Sequence, residues 1–276
     1  MIGNFSLMMV FEESKRAIAE NLKLKKLSKK SEANTKFYSV YALDDIAEAT
    51  KKSDGKVSVI SGTTFDTARM LVAKYDGKKV AALNFANAFT PGGGVKKGCT
   101  AQEECLCRCS TLYYSLKNEY MKECFYDTHK LQRVLHPHNV EMAGVIYSPD
   151  VVVFRSDNYD FLDEWKMVDV ITTAAPDLRL VSCSEDKLRE IFTRRIKAIL
   201  DIAIDNKVDV LVLGAFGCGA FKNPPKLVAR IFKEQLESKT KNGISYKECF
   251  DEVVFAIRKR NGRENENFEI FNAIEW

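Results

Sequence analysis

Between residues 57 and 257 the chain repeats one pattern, a short unbroken apolar run followed by a loop and an amphipathic stretch. Residues 57–60 (VSVI), 79–84 (KVAALN), 168–174 (VDVITTA), 208–213 (VDVLVL) and 253–257 (VVFAI) are too short for globular helices. Their β-branched content reads as strands buried on both faces. Between them the apolar period changes to that of a helix. In 184–206, for example, Leu188, Phe192, Ile196, Ile199 and Ala203 share one face. Strands alternating with helices predict a three-layer α/β/α sandwich around a mixed, mostly parallel sheet. Residues 145–148 and 151–155 read as two further strands separated by Pro149-Asp150. Helices are expected over 101–122, from Pro224 to about 239, and near 266–274.

Residues 14–34, rich in Lys, Glu and Ala, predict a surface helix whose LKLKKLSKKSE segment is a solvated charged face. Residues 51–56 read as an exposed loop. With no internal repeat or linker, 1–276 is expected to be a single domain, an N-terminal helical extension (1–56) on a core (57–276). A hydrophobic fraction of 46% supports a sizeable core, and a net charge of +4 lacks the basic excess of a nucleic-acid binder. The first residues lack the basic lead of a signal peptide and meet Glu12 and Glu13 at once. No apolar run approaches the roughly 20 residues of a membrane helix. Eight cysteines in such a chain read as reduced thiols, so a cytoplasmic, soluble protein is expected.

Two glycine loops stand after strands and before helices, where ligands bind in open α/β sheets. The first runs Asn84-Phe-Ala-Asn87-Ala-Phe-Thr-Pro91-Gly92-Gly93-Gly94-Val95, its glycines allowing close backbone approach to a ligand. The second runs Gly214-Ala-Phe-Gly217-Cys218-Gly219-Ala220-Phe221-Lys222-Asn223-Pro224-Pro225. Its small residues suit a nest of N–H groups for phosphate, with Asn223 as helix N-cap and Pro224 at the first helical position. Neither loop is a Walker motif or a dinucleotide fingerprint. Together they suggest two grips on one diphosphate ligand.

Thr100-Ala101-Gln102-Glu103 fits a capping box, with Thr100 at the N-cap and Glu103 at N3. Glu104 has no local duty beyond a weak pairing with Arg108, four residues on. Adjacent helix residues do not face each other, so Glu103 and Glu104 cannot act as opposed acid and base. One carboxylate must protonate a leaving oxygen and then activate water. A helix start favours the ionised carboxylate; a general acid needs the opposite, which burial against substrate supplies. Cys105, Cys109, Leu112, Tyr113 and Leu116 form an apolar helical stripe, and the spacing of Cys99, Cys105, Cys107 and Cys109 matches no zinc pattern. No metal is expected, and His129, His136 and His138 receive no role.

At these residues the chain resembles a known family. NFAN followed by PGGGV resembles the loop of macrodomains. Gly92–Gly94, seven residues, then Gln102-Glu103-Glu104 resembles the signature of poly(ADP-ribose) glycohydrolases, and the wider NFANAFTPGGGVKKGCTAQEECLCRCSTLYYSL looks like their microbial, bacterial-type branch. GVIYSPDVVVFRSD, ITTAAPD and LVLGAFGCGAFKNPP continue the match, which runs from about residue 57 to the end. The resemblance implies a macrodomain fold and a cofactor-free glycosidase that cleaves the ribose–ribose bond of poly(ADP-ribose). It implies Glu104 as catalytic acid/base, with Glu103 holding the neighbouring ribose or leaving group. Asn87, Gly92, Gly93, Gly94, Val95, Gln102, Gly217, Cys218, Gly219, Ala220 and Phe221 would bind ADP-ribose. Asn87 would take the distal ribose, the two glycine loops the diphosphate, and Phe221 the ribose face. Two positions depart from the pattern: Phe216 stands where Trp is usual, and Asp177 where Asn is usual. The implied partners are ADP-ribose and poly(ADP-ribose) or ADP-ribosylated macromolecules, with no membrane and no sequence-specific nucleic acid. Removal of a single ADP-ribose from protein or a nucleic-acid base, and a non-catalytic reader, remain the alternatives. Thr63, Thr64 and Asp66 are candidates for adenine contact.

Overall fold

A computed structural model describes residues 3–39, 52–137, 144–259 and 266–276. Lys51 and His138 lie outside the described residues. The chain begins with helices α1 (Asn4–Glu20) and α2 (Leu22–Ala33), then strands β1 (Lys36–Tyr38) and β2 (Lys56–Ile60). Helix α3 (Thr64–Lys74) and strand β3 (Val80–Phe85) lead through a 3-10 turn at Val95–Lys97 into α4 (Gln102–Cys109). Short helices α5 (Leu112–Leu116), α6 (Glu119–Met121) and α7 (Thr128–Leu135) follow, with a π turn over Lys122–Asp127. The long strands β4 (Val145–Arg155) and β5 (Phe161–Thr173) precede α8 (Glu185–Asp205) and β6 (Val210–Leu213). Helix α9 (Pro225–Glu237), strand β7 (Glu252–Ala256) and helix α10 (Glu266–Asn272) complete the order.

One sheet runs β1-β4-β5-β3-β6-β7-β2. β4 is antiparallel to β1 and to β5; every other pairing is parallel. The apolar runs of β3, β6, β7 and the second half of β5 are buried on both faces, as anticipated, whereas 57–60 in the edge strand β2 is only half-buried. Ala81 and Leu83, Leu211 and Leu213, and Val253 and Phe255 point into one core with α8, α9 and α10. Val80 and Ala82, Val210 and Val212, and Val254 and Ala256 point into the other with α3, α4 and α5. Each large apolar side chain buried in this way contributes roughly 1.5–3 kcal/mol, so helices are required on both sides of the sheet.

Four expectations are revised. The two strands predicted at 145–155 are one, β4, which crosses Pro149-Asp150 on a register shift. There Asp150 takes φ 54° and its N–H donates to Asp169 Oδ1 at 2.8 Å, which satisfies the displaced backbone. β5 starts at Phe161 rather than 168, because its exposed, mixed first half, FLDEWKM, still pairs with β4 outside the buried sheet. The helix predicted over 101–122 breaks at Ser110, whose extended backbone forms a bridge to Val153. Thr111 N–H and Oγ1 then bond Val152 O and accept from Val152 N, so β4 captures the chain. The 1–56 extension is not wholly helical, since β1 adds an edge strand beside β4. Helices α1 and α2 close over that end through Ile18, Leu24, Val152 and Phe154. The exposed lysines of α2 form the solvated face expected of them.

Candidate active site

The site lies at the carboxyl ends of β3, β5 and β6, where two loops leave the sheet for α4 and α9. Asn84, a polar end to the apolar β3, is fully buried and donates to Thr172 Oγ1 at 3.2 Å and Glu103 Oε1 at 3.5 Å. Asn87 folds the next turn on itself: its Oδ1 accepts from Phe89 N at 2.8 Å and Thr90 N at 2.9 Å. Its Nδ2 makes no hydrogen bond among the described residues. Beneath this turn, the buried His129 ring meets Ala88 O through Nδ1 at 3.2 Å and packs on Phe125.

The capping box does not form. Helix α4 starts at Gln102 with Ala101 as N-cap, and no side chain caps it. Glu103 Oε2 instead accepts from Asn87 N at 2.7 Å, because burial under the first loop gives it a better donor than the helix start. Gln102 is fully used as a brace, its Oε1 accepting from Phe85 N and its Nε2 donating to Leu83 O and Thr64 Oγ1. Glu104 makes no pair with Arg108. Its Oε1 accepts from Gly94 N at 2.8 Å, while Oε2 is buried and unpartnered. Such an orphaned polar atom costs about 1–3 kcal/mol and calls for a functional reason.

Gly93 is what allows this approach. At φ 56°, a Cβ on it would lie 2.5 Å from Glu104 Oε1 and 3.0 Å from Glu103 Oε2. Burial, and to a lesser degree the charge of Glu104, push the Glu103 carboxyl up to about 8, against the pull of the Asn87 N–H. Burial therefore favours the protonated form of Glu103 at neutral pH.

The second loop is built without carboxylates. Asn223 is not the N-cap of α9. That position is Pro224, with Pro225 first in the helix, because the Asn223 amide is committed elsewhere. Its Nδ2 donates to Gly217 O at 2.9 Å and Pro176 O at 2.8 Å, which ties this loop to the one after β5. Gly217 adopts φ 75° there, with space for a Cβ taken by Asn223 Nδ2 and Ala175 Cβ, both at 2.6 Å. Arg195 from α8 holds the start of the β5 loop by donating to Ala174 O at 2.6 Å. Gly219 and Ala220 are exposed, Phe221 is half-buried, and burial pushes the Cys218 thiol up to about 12. Val95 is buried under the first loop, where it packs rather than faces solvent.

The cysteines fall mostly as packing residues. Cys107 and Cys109 are buried in the core, Cys105 is half-buried and Cys99 exposed, so Cys107 rather than Cys105 joins the apolar stripe. No cluster of metal-ligating side chains occurs among the described residues. Thr63 caps α3, and Asp66 pairs with Arg69 at 3.0 Å. Both line a cleft of about 480 Å³ with Gly62, Asp157 and Arg258, beyond the ends of β2 and β7.

The family model for the microbial-type PARG catalytic domain matches residues 10–156, more than half of the chain. The chain belongs to that family. A sequence comparison with curated proteins gives no match. Among solved structures, the chain is similar to poly(ADP-ribose) glycohydrolase (PARG) from Thermomonospora curvata, at 29% identity and TM-score 0.85 over 97% of this chain and 98% of that one. The same enzyme bound to the inhibitor ADP-HPD matches at 30% identity and TM-score 0.84, with the same coverage. Deinococcus radiodurans PARG in complex with ADP-ribose matches at 32% identity and TM-score 0.76, over 88% of this chain and 94% of that one.

The two departures from the PARG pattern have different consequences. Phe216 is wholly buried, packed against Phe85 and Phe192 with centroids at 5.7 and 5.9 Å, so its aromatic bulk serves the core. Asp177 is neutralised by Arg179, whose Nε and Nη2 reach its two oxygens at 2.8 and 2.6 Å. Asn84, His129 and Asn223 brace the two glycine loops; the sequence singles out only Asn223 among them, and for a different duty, as an N-cap. A buried polar residue ending an apolar strand was the one available signal, at Asn84.

Proposed function

We propose that this protein is a glycosidase that cleaves the ribose–ribose O-glycosidic bond of poly(ADP-ribose), releasing ADP-ribose, with Glu104 as its single acid/base. The observation that carries this reading is the state of Glu104. One oxygen is fixed by the Gly94 N–H, and the other is buried and left without a partner. In the protonated state Glu104 gives its proton to the leaving ribose oxygen as the glycosidic bond breaks. Water then adds to the anomeric carbon of the oxocarbenium-like sugar and returns a proton to the same carboxylate. The neutral Glu103 braces the Asn87 turn during both steps and adds no second charge beside the developing cation's partner.

The remaining assignments follow the loops. The Asn87 Nδ2 is left for the distal ribose, the N–H groups of Gly92–Gly94 and Gly217–Ala220 for the diphosphate, and the Phe221 ring for the ribose face. The cleft holding Thr63 and Asp66 would receive adenine. Helices α1 and α2 and strand β1 pack into the same sheet, which supports the whole chain acting as one catalytic domain. No helix among the described residues is long and apolar enough to cross a membrane, and eight unpaired cysteines support a reducing, cytoplasmic setting. The test is a turnover panel of wild type against Glu104→Gln on polymer, singly ADP-ribosylated protein and singly ADP-ribosylated DNA. Loss of ADP-ribose release from polymer is expected. Release from singly modified substrates alone would remove the glycohydrolase assignment, and undiminished turnover by the variant would remove Glu104 from the mechanism.

A further inference from the structure

Arg108 of α4 is fully buried, yet among the described residues no carboxylate meets it, and its Nε and Nη1 have no hydrogen-bond partner. Its Nη2 is divided between two acceptors, Cys99 O at 2.7 Å and the Cys105 sulfur at 3.7 Å. A buried guanidinium with free donors and no counter-charge is costly, and it favours negative charge or a new acceptor beside it. Cys105 is the nucleophile placed there. It is half-buried and open to solvent, unlike Cys107 and Cys109. Its Sγ also lies 3.5 Å from Tyr159 Oη. Tyr159 stands in the β4–β5 turn at φ 70°, a left-handed backbone that an aromatic residue rarely adopts, with its ring centroid 5.3 Å from Arg108 Cζ. Burial pushes the Tyr159 phenol up, so it keeps its proton and stays a donor. Cys99 is more exposed than Cys105, but among the described residues its sulfur has neither cation nor hydrogen bond. It rests against the first glycine loop, 2.5 Å from where a Cβ on Gly94 would stand.

We propose that Cys105 is a modification site for hydrogen peroxide, which adds one oxygen to Sγ that Arg108 and Tyr159 then hold. The Cys105 thiolate attacks one peroxide oxygen. The sulfur electron pair forms the S–O bond as the O–O bond breaks, and the departing hydroxide takes up the proton that the thiol released. Thiol and peroxide thus give sulfenic acid and water, with sulfur oxidised by two electrons and the peroxide reduced by two. The guanidinium faces the charge on sulfur before the step. Its free N–H groups and the Tyr159 hydroxyl supply donors for the new oxygen after it. That oxygen competes with Cys99 O for Arg108 Nη2. Cys99 N–H donates to Gly94 O at 3.2 Å, and Gly94 N–H holds Glu104 Oε1 at 2.8 Å. Two hydrogen bonds therefore separate Cys99 from the proposed acid/base, and oxidation lowers turnover by loosening the loop between them. This consequence rests on the glycosidase reading above; the modification itself does not.

The test treats the full chain with hydrogen peroxide and dimedone, which traps sulfenic acid, and maps all eight cysteines by peptide mass. Cys105 should be labelled about tenfold faster than the more exposed Cys99, the factor expected of one charge-assisted contact. Tyr159→Phe keeps the ring and loses the hydroxyl, and should slow labelling of Cys105 about threefold. Peroxide without dimedone should lower turnover of polymer about tenfold, short of the roughly 10²-fold of a full ångström displacement. Dithiothreitol should restore it, since a sulfenic acid is reducible. Cys105→Ser should keep the basal turnover and resist peroxide. Labelling that follows exposure, with Cys99 first, would overturn the proposal, as would equal inactivation of Cys105→Ser by peroxide. Failure of the glycosidase reading has a different signature: turnover that survives Glu104→Gln, with the order of labelling unchanged.

Discussion

The two glycine loops share a position in the fold and differ in almost everything else. The loop between β3 and α4 surrounds two buried carboxylates, Glu103 and Glu104, and is shaped around them by Asn84, Asn87 and His129. The loop between β6 and α9 carries no carboxylate; its Cys218 thiol is held neutral by burial, and its Lys222 is exposed. An amide, Asn223, holds it by donating to two carbonyls. A loop that must present a proton needs side chains fixed to fractions of an ångström. A loop that must present N–H groups needs only the correct backbone and no bulk. Chemistry therefore belongs to the first and grip to the second.

Glu104→Gln is the severest test of that division. The amide keeps the shape and the Gly94 contact but cannot carry the proton, so kcat on polymer should fall by about 10³-fold. ADP-ribose affinity should remain within about threefold, because the glutamine fits where the carboxylate was. Isothermal titration alongside single-turnover cleavage separates the two effects. A large loss of affinity with intact single-turnover rate would erase the distinction between the loops.

Gly93→Ala attacks the same loop from its backbone. A left-handed conformation costs an alanine roughly 1–2 kcal/mol. The new methyl would also stand 2.5 Å from Glu104 Oε1. The carboxylate must move, and a displacement near 1 Å costs about 10²-fold in rate. Thermal melting should show a folded protein with a modestly lower Tm, while turnover drops by that larger factor. Near-normal turnover would mean that the fixed geometry of Glu104 does not matter.

Glu103→Gln tests the proton on the brace. Burial raises this carboxyl from its ordinary 4.5 to about 8, so its contribution to folding is whole below about 4.5 and is lost as pH rises through about 8. Wild type should lose Tm between about pH 5 and 8 and level off above that, while activity falls above about pH 8 by about tenfold in rate for each unit if a charged Glu103 is inactive. The glutamine variant should lack both declines. Parallel pH profiles for the two proteins would show that Glu103 does not titrate in this range.

What could be read from sequence follows the same line between backbone and side chain. The strands declared themselves because both faces of β3, β6 and β7 are buried, leaving continuous apolar runs that resist any other reading. The glycines marked the loops because only they tolerate such approach. The partners of Glu103 were hidden, since local spacing offered it a capping role and the better donor, Asn87 N–H, comes from sixteen residues earlier in the chain. Ser110 looked helical for the same reason: its competing partner, Val153 on β4, is remote in sequence. The commitment of Asn223 to Pro176 could not be seen from a motif that made it an ordinary N-cap. Long-range hydrogen bonds decided each of these, and the sequence around each residue was consistent with both outcomes.

The smallest effect is expected at the second loop. Asp177 holds Arg179 through two hydrogen bonds, and Arg179 lies with its Cζ 5.2 Å from the Phe221 ring centroid. The Leu178 N–H also donates to Phe221 O at 3.1 Å, so the backbone aligns the two loops without the ion pair. Arg179 is nearly half exposed, at 46% of its side chain, which places the pair in the regime of about 0.2–1 kcal/mol. Asp177→Asn keeps one acceptor and removes the charge. ADP-ribose Kd should change by less than about fivefold, the ceiling set by that energy, and kcat should not move. A loss comparable to that of Gly93→Ala would mean that the second loop is also fixed by a charged side chain, and that a nest of N–H groups is insufficient to hold a diphosphate here.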